Sequence, residues 1–220
     1  YIDLLYSHRV LGIVVCSHIG ETMEHLDSNC PLISFEREIA ENIPAVLCDN
    51  YQGGILAANR LFDAGCRNIA IFNQPTKENI PAYSREKAFM KCCENKKISG
   101  RVVYTDRLAP LSEEFGNNIL ELLKKNSDLD GIFATSDVMA ANIIRACKKM
   151  GKRVPEDISI VGFDDTWIST LTYPSITTIH QPVREMCEYA IEAIVKKVKS
   201  EKVPSQVVFP VELIDRESTK

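Results

Sequence analysis

Short apolar runs in this sequence end repeatedly in polar residues, and these residues are the first candidates for chemistry. In open parallel α/β sheets, ligands bind beyond the carboxyl ends of the strands. Carboxylate, amide and hydroxyl groups at such positions can hydrogen bond to a polar ligand. The candidates are Ser17, Asp49, Asn50, Asn73, Gln74, Asp106, Arg107, Ser136, Asp137, Asp164 and Asp165. They predict a polar binding site along one edge of a sheet.

The same residues also have a purely structural interpretation, because Asp, Asn and Ser at strand ends are preferred helix caps. Capping is favoured for Ser136 and Asp137, which directly precede a helical pattern. Asp164 and Asp165 open no obvious helix, and Trp167, the only tryptophan, follows them closely. Ligand contact and a loop role are therefore equally open at Asp164 and Asp165.

Motifs for catalysis are missing from the sequence. It has no G-x-S-x-G elbow, no G-x-x-x-x-G-K-[ST] phosphate loop, no G-x-G-x-x-G and no H-E-x-x-H. The segment 163–166 is similar to a phosphatase nucleophile motif, but its two acids are adjacent rather than separated. The histidines are scattered, and the cysteines include no C-x-x-C pair. We predict no enzyme activity, no catalytic residue, no metal site and no cofactor.

The composition is that of a globular protein. The 220 residues are 45% hydrophobic and 25% charged, which excludes disorder for the bulk of the chain. A net charge of -4 provides no basic field to hold nucleic acid or an anionic membrane. The apolar runs fall far short of the roughly 20 residues that a membrane span needs. Most cysteines lie in apolar stretches, so we expect reduced, buried thiols and a cytoplasmic location.

The elements that must position the polar residues alternate along the chain. Strand-like runs are followed by helical patterns, which predicts an α/β protein with parallel sheets joined by helical crossovers. The predicted strands are 11–16, 32–35, 45–48, 69–72, 102–105, 131–134, 158–163 and 207–214. The predicted helices are 51–65, 83–95, 112–125, 137–150 and 183–199. Residues 1–5 resemble the middle of a helix, so we expect the natural protein to begin further upstream.

The second half of the sequence contains three longer motifs. Val154 opens V-P-x-D-I-S-I-V-G-F-D-D, Thr177 opens T-T-I-x-Q-P, and Arg216 opens R-E-S-T. Together with segments 48–58 and 130–140, these motifs resemble, in order and spacing, the LacI/GalR family of bacterial transcription regulators. The resemblance extends over essentially the whole chain.

The resemblance implies a two-lobed fold like that of a periplasmic sugar-binding protein, with a small effector in the cleft. The N-terminal lobe would comprise 1–49 plus 181–208, and the C-terminal lobe 50–180 plus 209–220. The helix at 183–199 would pack in the N-terminal lobe although it follows the C-terminal lobe in sequence. In this family a helix-turn-helix reads operator DNA. We expect that this domain, its hinge helix and the leading strands of the first lobe precede the present chain, so that the first lobe is truncated.

The effector contacts carry over from the family by position. Arg85 and Asp164 stand at its usual effector contacts, and Ser136 stands at a frequent third one. A guanidinium donates in a fixed fork and a carboxylate accepts from sugar hydroxyls, while Phe163 or Trp167 would cover the apolar face of a ring. Without the resemblance, Arg85 is an exposed residue at a helix start. The segment before Arg85 lacks a second arginine found in some members, which leaves the effector's identity open.

The resemblance implies the effector-binding and dimerisation core of a LacI-type transcription regulator, a repressor that responds to a sugar or small metabolite. Its partners would be that effector, operator DNA through the preceding domain, and a second copy of the chain, with no membrane contact. The helix beginning at 136–137 and the stretch 167–173 would lie near the two-fold axis. The alternative is a solute-binding protein of a sugar transporter, and a phosphatase-type enzyme comes third.

Overall fold

The computed structural model describes residues 2–16, 30–75 and 80–220, so the candidate Ser17 lies outside the described residues. The chain divides into two compact units. Unit 1 comprises Tyr1–Asp49, Asn79–Pro81 and Pro182–Pro210, and unit 2 comprises Asn50–Glu78, Ala82–Gln181 and Val211–Lys220. The structure thus assigns Gln181 to unit 2 and residues 79–81 and 209–210 to unit 1, unlike the lobes proposed from sequence. Phe209 belongs to unit 1 because it pairs with Cys48 in that unit's sheet.

Helices and strands alternate over most of the described chain. In chain order they are α1 (Ile2–Ser7), β1 (Ile13–Val15), β2 (Leu32–Phe35), β3 (Ala45–Cys48), α2 (Asn50–Asp63), β4 (Asn68–Asn73), α3 (Tyr83–Lys96), β5 (Ser99–Tyr104), α4 (Glu113–Lys125), β6 (Gly131–Ala134), α5 (Asp137–Lys149), β7 (Ser159–Asp164), α6 (Trp167–Leu171), β8 (Thr177–His180), α7 (Val183–Val198), β9 (Gln206–Phe209) and β10 (Glu212–Ile214). Strand β8 and the short helix α6 have no counterpart among the predicted elements. Within the described chain, none of these helices is both long and apolar enough to cross a membrane.

Unit 1 is built on a four-stranded parallel sheet in the order β1, β2, β3, β9. Helix α7 packs on β1, β2 and β3, which confirms the packing predicted for 183–199. Gly12 permits the close approach, since a Cβ there would lie 2.6 Å from Ile194. Ile191, Val195 and Val198 are also apolar residues of α7, but they are exposed. The helix therefore buries only some of its apolar side chains.

The predicted strand 207–214 is wrong, because this segment forms two strands in different sheets. Strand β9 pairs with β3 in unit 1 and runs parallel to it. Strand β10 pairs with β8 in unit 2 and runs antiparallel to it. Pro210 lies between them and has no backbone N–H to donate to a ladder, which explains the break.

Unit 2 is built on a six-stranded sheet in the order β10, β8, β7, β6, β4, β5. Neighbouring strands run parallel, except that β10 runs antiparallel to β8. Side chains alternate between its two faces. Ile132 belongs to the core cluster formed with α4 and α5, whereas Phe133 contacts Phe89 of α3 at 5.8 Å between ring centroids. Both faces are covered by helices, which explains why the strands are continuous apolar runs.

Helix α5 begins and ends where local sequence chemistry predicts. Ser136 is its N-cap, and the Ser136 hydroxyl accepts from the Met139 N–H at 3.2 Å. Gly151 follows the helix with a φ of +72°, a conformation that glycine adopts without steric cost. The prediction of a helix over 137–150 is confirmed. Because α5 begins at Asp137, only Thr135 and Ser136 lie between β6 and the helix.

Candidate functional site

The carboxyl ends of β4, β6 and β7 lie side by side in unit 2, because these strands are parallel neighbours. Asn73 ends β4, Asp164 ends β7, and Thr135 directly follows β6. Asp106, which follows β5, instead accepts a hydrogen bond from Asn118 of α4 at 2.7 Å. Of the strand-end candidates, Asn73 and Asp164 thus lie at the same edge of the sheet, whereas Asp106 pairs with α4.

Arg85 lies at this edge, although its own element is helix α3. Its Nε donates to Asn50 Oδ1 at 2.5 Å, and its Nη1 donates to the Thr135 carbonyl at 3.0 Å. The guanidinium carbon lies 3.4 Å from the centroid of the Phe163 ring, a cation–π contact. Only 7% of the residue is exposed. Arg85 is therefore a buried, oriented cation and not the exposed helix-start residue that sequence alone suggests.

The Phe163 ring packs against the Arg85 guanidinium. The ring is fully buried, and its centroid lies 6.3 Å from that of the Phe133 ring. Gly53 of α2 makes room for it, since a Cβ at position 53 would lie 2.6 Å from the Phe163 ring. Because Arg85 covers one face and packing covers the rest, no sugar ring could stack on Phe163 in this structure. Its role at the site is that of a platform for the guanidinium, which differs from the role the resemblance implies.

Asp164 stands at the end of β7, directly after Phe163. Its Oδ1 accepts a hydrogen bond from Gln181 Nε2 at 2.6 Å. The residue is partly buried, and its φ of 105° lies in the left-handed half of conformational space. Since Arg85 contacts Phe163 and the end of β6, the guanidinium and the Asp164 carboxylate occupy the ends of two adjacent strands.

Ser136 and Asp137 differ in what they contact. The Ser136 hydroxyl caps α5, so the cap interpretation is confirmed, and the residue is only partly buried at the same edge. Asp137 points inward and is fully buried. Burial is the main cause that raises the pKa of the Asp137 carboxyl, and hydrogen bonds from Thr178 and Thr166 oppose that rise.

Trp167 lies on the surface as the first residue of α6, with 71% of its area exposed. Two other large apolar side chains close to it in sequence, Leu171 and Tyr173, are 73% and 92% exposed. Trp167 and Leu171 are one helical turn apart and share a face of α6. The structure therefore groups Trp167 with an exposed apolar surface and not with the buried contacts of Arg85.

A second polar network extends the edge toward β5. Glu86 is buried, and it accepts hydrogen bonds from Asn73 Nδ2 at 3.0 Å and from the Tyr104 hydroxyl at 2.7 Å. Desolvation and the bond to Glu86 raise the pKa of Tyr104 to about 12. The Thr135 hydroxyl donates to Asn73 Oδ1 at 3.2 Å. Because the Thr135 carbonyl accepts from Arg85, Thr135 links this network to the guanidinium.

The arrangement offers hydrogen bonding and charge, and its parts are those of a binding site for a small polar molecule. Among residues 2–16, 30–75 and 80–220, no cluster of three or more His, Cys, Asp or Glu side chains could hold a metal ion. Gln181 is a supporting residue to which sequence reasoning gave no role, and Asn50 was expected to contact a ligand rather than to hold Arg85. Both stood in recognisable segments, at the end of a strand and in the T-T-I-x-Q-P motif, but their partners lie far away in sequence.

Comparisons with known proteins identify the family of this chain. The family model for a periplasmic binding protein-like domain matches residues 58–219. The ribose operon repressor of Halalkalibacterium halodurans is 31% identical over 100% of this chain and 66% of its own length. The sucrose operon repressor of Lactococcus lactis is 28% identical over 97% of this chain and 65% of its own length.

Among solved structures, a periplasmic binding protein/LacI transcriptional regulator from Alkaliphilus metalliredigens, complexed with D-xylulofuranose, matches with a TM-score of 0.85. It is 32% identical, and the match covers 100% of this chain and 82% of that one. The chain thus spans just under two thirds of the length of these two relatives. Both relatives are named as operon repressors, and neither is named as a transport protein. The chain belongs to the LacI/GalR family of transcription regulators and carries its periplasmic binding protein-like domain.

Proposed function

We propose that this chain is the effector-binding core of a repressor and that its effector is a sugar. The observation that carries the proposal is the Arg85 guanidinium, held against Phe163 next to the Asp164 loop. Sugar hydroxyls both accept and donate, so one ligand can accept from the guanidinium and donate to the carboxylate. The Ser136 hydroxyl at the neighbouring strand end is the third proposed contact.

The relatives support a sugar but differ in which one they name. Two are repressors of a ribose and a sucrose operon, and the solved regulator holds D-xylulofuranose. D-ribose, D-xylulose and sucrose are therefore the probes of choice. We propose no catalytic role, because the function of the site follows from binding alone.

The remaining partners belong to the whole protein. We propose that it acts in the cytoplasm as a homodimer and that a segment outside this chain contacts operator DNA. Support for self-association comes from the exposed apolar side chains at Trp167, Leu171 and Tyr173. Support for a separate DNA-binding segment comes from the net charge of -4, which gives this chain no basic field for DNA.

The test of the proposed function is calorimetric titration of the chain with the three sugars. We expect at least one to bind, and we expect Asp164→Ala to weaken it by about 1.5–3 kcal/mol, roughly 10- to 150-fold, because a charged hydrogen-bond acceptor is lost. Asp106→Ala is the matched control, since Asp106 is also a strand-end carboxylate but binds Asn118 away from Arg85. Unchanged affinity in Asp164→Ala would show that the sugar binds elsewhere.

A further inference from the structure

The loop that carries Asp164 has an unfavourable backbone conformation. Asp164 and the next residue, Asp165, have φ angles of 105° and 56°. The Cβ atom disfavours positive φ, and two consecutive residues other than glycine keep it only when the surrounding structure holds them there. The loop therefore depends on contacts from outside itself.

Three of these contacts bind the aspartates. Gln181 donates to Asp164 at 2.6 Å. Arg216 forms an ion pair with Asp165 at 2.6 Å, and His180 Nδ1 lies 2.9 Å from the other oxygen of the same carboxylate. Asp164 and Asp165 are thus held by the end of β8, by Gln181 directly after it and by the C-terminal segment.

Asp137 holds the end of the loop. Its Oδ2 accepts from the Thr166 N–H at 2.6 Å and from the Thr166 hydroxyl at 3.1 Å. Its Oδ1 accepts from the Thr178 hydroxyl of β8 at 2.6 Å. Gly162 of β7 lies against the same oxygen, since a Cβ there would be 2.5 Å from Oδ1. One carboxylate thus joins the start of α5 to β7, to β8 and to the loop.

Helix capping does not explain why an acid occupies this position. Ser136 already supplies the cap of α5. Asp137 is fully buried, and the hydrogen bonds described above all come from neutral groups. Burying a carboxylate is unfavourable unless hydrogen bonds compensate it, so a small apolar residue would be the simpler choice if only packing mattered. The acid is explained by the three donors that it collects from β8 and the loop.

We propose that Asp137 is a positioning residue for effector binding: it fixes Thr166, so that the strained loop presents the Asp164 carboxylate to the sugar. This inference rests on the proposed function, because Asp164 is the sugar contact in that function. Asp137 acts on the loop through Thr166 and is itself held by Thr178, because its carboxylate is buried and not exposed at the edge of the sheet.

Amide hydrogen exchange of the 220-residue chain tests the anchor without any ligand. We expect Asp137→Ala to speed exchange at the Thr166 N–H by at least about tenfold, because its acceptor is lost. We expect Asp137→Asn to restore protection, because its amide oxygen can still accept. Ser218→Ala is the matched control. Ser218 is equally buried, but it bridges Ile160 and Thr177, which lie at the starts of β7 and β8 and not at the end of β7 that carries the loop.

Titration of the same variants with D-ribose, D-xylulose and sucrose tests the consequence for binding. For the sugar that the unmodified chain binds, we expect Asp137→Ala to weaken affinity by at least about tenfold and Asp137→Asn to recover most of it. Ser218→Ala is expected to lower the melting temperature without changing the dissociation constant. A merely structural role for Asp137 would make the two alanine variants behave alike.

Several results would overturn the proposal. Normal protection of Thr166 in Asp137→Ala, or an equal loss of affinity in Ser218→Ala, would each do so. If Asp137→Ala does not fold, Thr178→Val removes one hydrogen bond to Oδ1 and keeps the carboxylate, and the same directions are expected. If the unmodified chain binds none of the three sugars, the proposed function is contradicted, and the exchange measurement alone decides whether Asp137 holds the loop.

Discussion

Arg85 shows how a buried guanidinium is kept in one orientation. The Asn50 side chain accepts from Nε, the Thr135 carbonyl accepts from Nη1, and the Phe163 ring lies against the guanidinium carbon. These contacts come from α2, from the end of β6 and from β7. A ligand that meets such a prearranged group does not have to order it on binding, which favours affinity.

Asn50→Ala tests this arrangement at the scale of one residue. The substitution removes the acceptor of Arg85 Nε in a buried environment, so we expect a loss of about 1–3 kcal/mol in the free energy of unfolding. We also expect sugar affinity to fall about tenfold, because the guanidinium gains freedom. Asn118→Ala, which removes an exposed partner of Asp106, serves as control for calorimetry and thermal melting. Native affinity in Asn50→Ala would mean that Phe163 and Thr135 suffice to hold Arg85.

The site residues were predictable to different degrees. Asp164 follows from the strand-end rule, because a single strand and its end can be recognised locally. Arg85 lies within α3 and reaches the sheet edge only through tertiary packing, so the family resemblance alone identified it. Phe163 was assigned to the ligand because local sequence does not show that Arg85 covers its ring. That Arg85, Asp164 and Ser136 contact an effector stays a prediction.

Among the elements, helices α2 and α3 determine where Arg85 lies. Gly54 of α2 is buried, and a Cβ at this position would collide with the Arg85 carbonyl oxygen and come within 2.9 Å of Ala88 Cβ. The missing side chain therefore lets the two helices approach closely at the residue that carries the guanidinium. The backbone of α3 has no room to accept even one methyl group without moving.

Gly54→Ala is expected to destabilise the chain by about 1–3 kcal/mol, because overpacking outweighs the better helix propensity of alanine. Sugar affinity is expected to fall with it, since α3 must shift at Arg85. Gly116→Ala in α4 is the matched control: its Cβ would meet only Asn142 Oδ1 at 3.3 Å. Chemical denaturation and calorimetry of both variants measure the effects, and equal stability of the two would show that α2 and α3 can separate freely.

The elements themselves were predictable where their signals were local. Helix α5 has a serine cap, an apolar period and a closing glycine, and its observed bounds agree with the prediction. Segment 207–214 is a continuous extended pattern, so sequence gave no reason to divide β9 from β10 apart from Pro210. Which sheet each half joins is decided by pairing with β3 and β8, which are distant in sequence.

In the whole molecule, the chain passes between the two units at 49–50, 181–182 and 210–211, and the short segment Asn79–Pro81 is also grouped with unit 1. Helix α7 therefore completes unit 1 although it follows β8 of unit 2, and this packing was predictable only from the family resemblance. Each unit keeps its own sheet and its own buried core. The contacts of Arg85 and of Asp137 described above lie within unit 2, so variants at the site report on that unit.

Unit 2 also carries the surface that we expect to mediate self-association. Trp167, Leu171 and Tyr173 expose 71%, 73% and 92% of their areas within seven residues of chain. Helix α6 packs against α5, which brings this surface next to the helix that begins beside the site. Large exposed apolar side chains that lie together mark interaction surfaces in soluble proteins, and aromatic residues are enriched among those that dominate binding energy.

Leu171→Asp is expected to convert a homodimer of this chain into a monomer. The substitution places a charge in the apolar surface, and in an isologous dimer each interface receives it twice, so like charges face each other without solvent. Ile191→Asp on α7 is the matched control, because Ile191 is 60% exposed but belongs to unit 1. Sedimentation velocity over a range of concentrations measures the outcome, and circular dichroism checks that both variants fold. A monomeric unmodified chain, or equal dissociation by the two substitutions, would show that this surface serves another purpose.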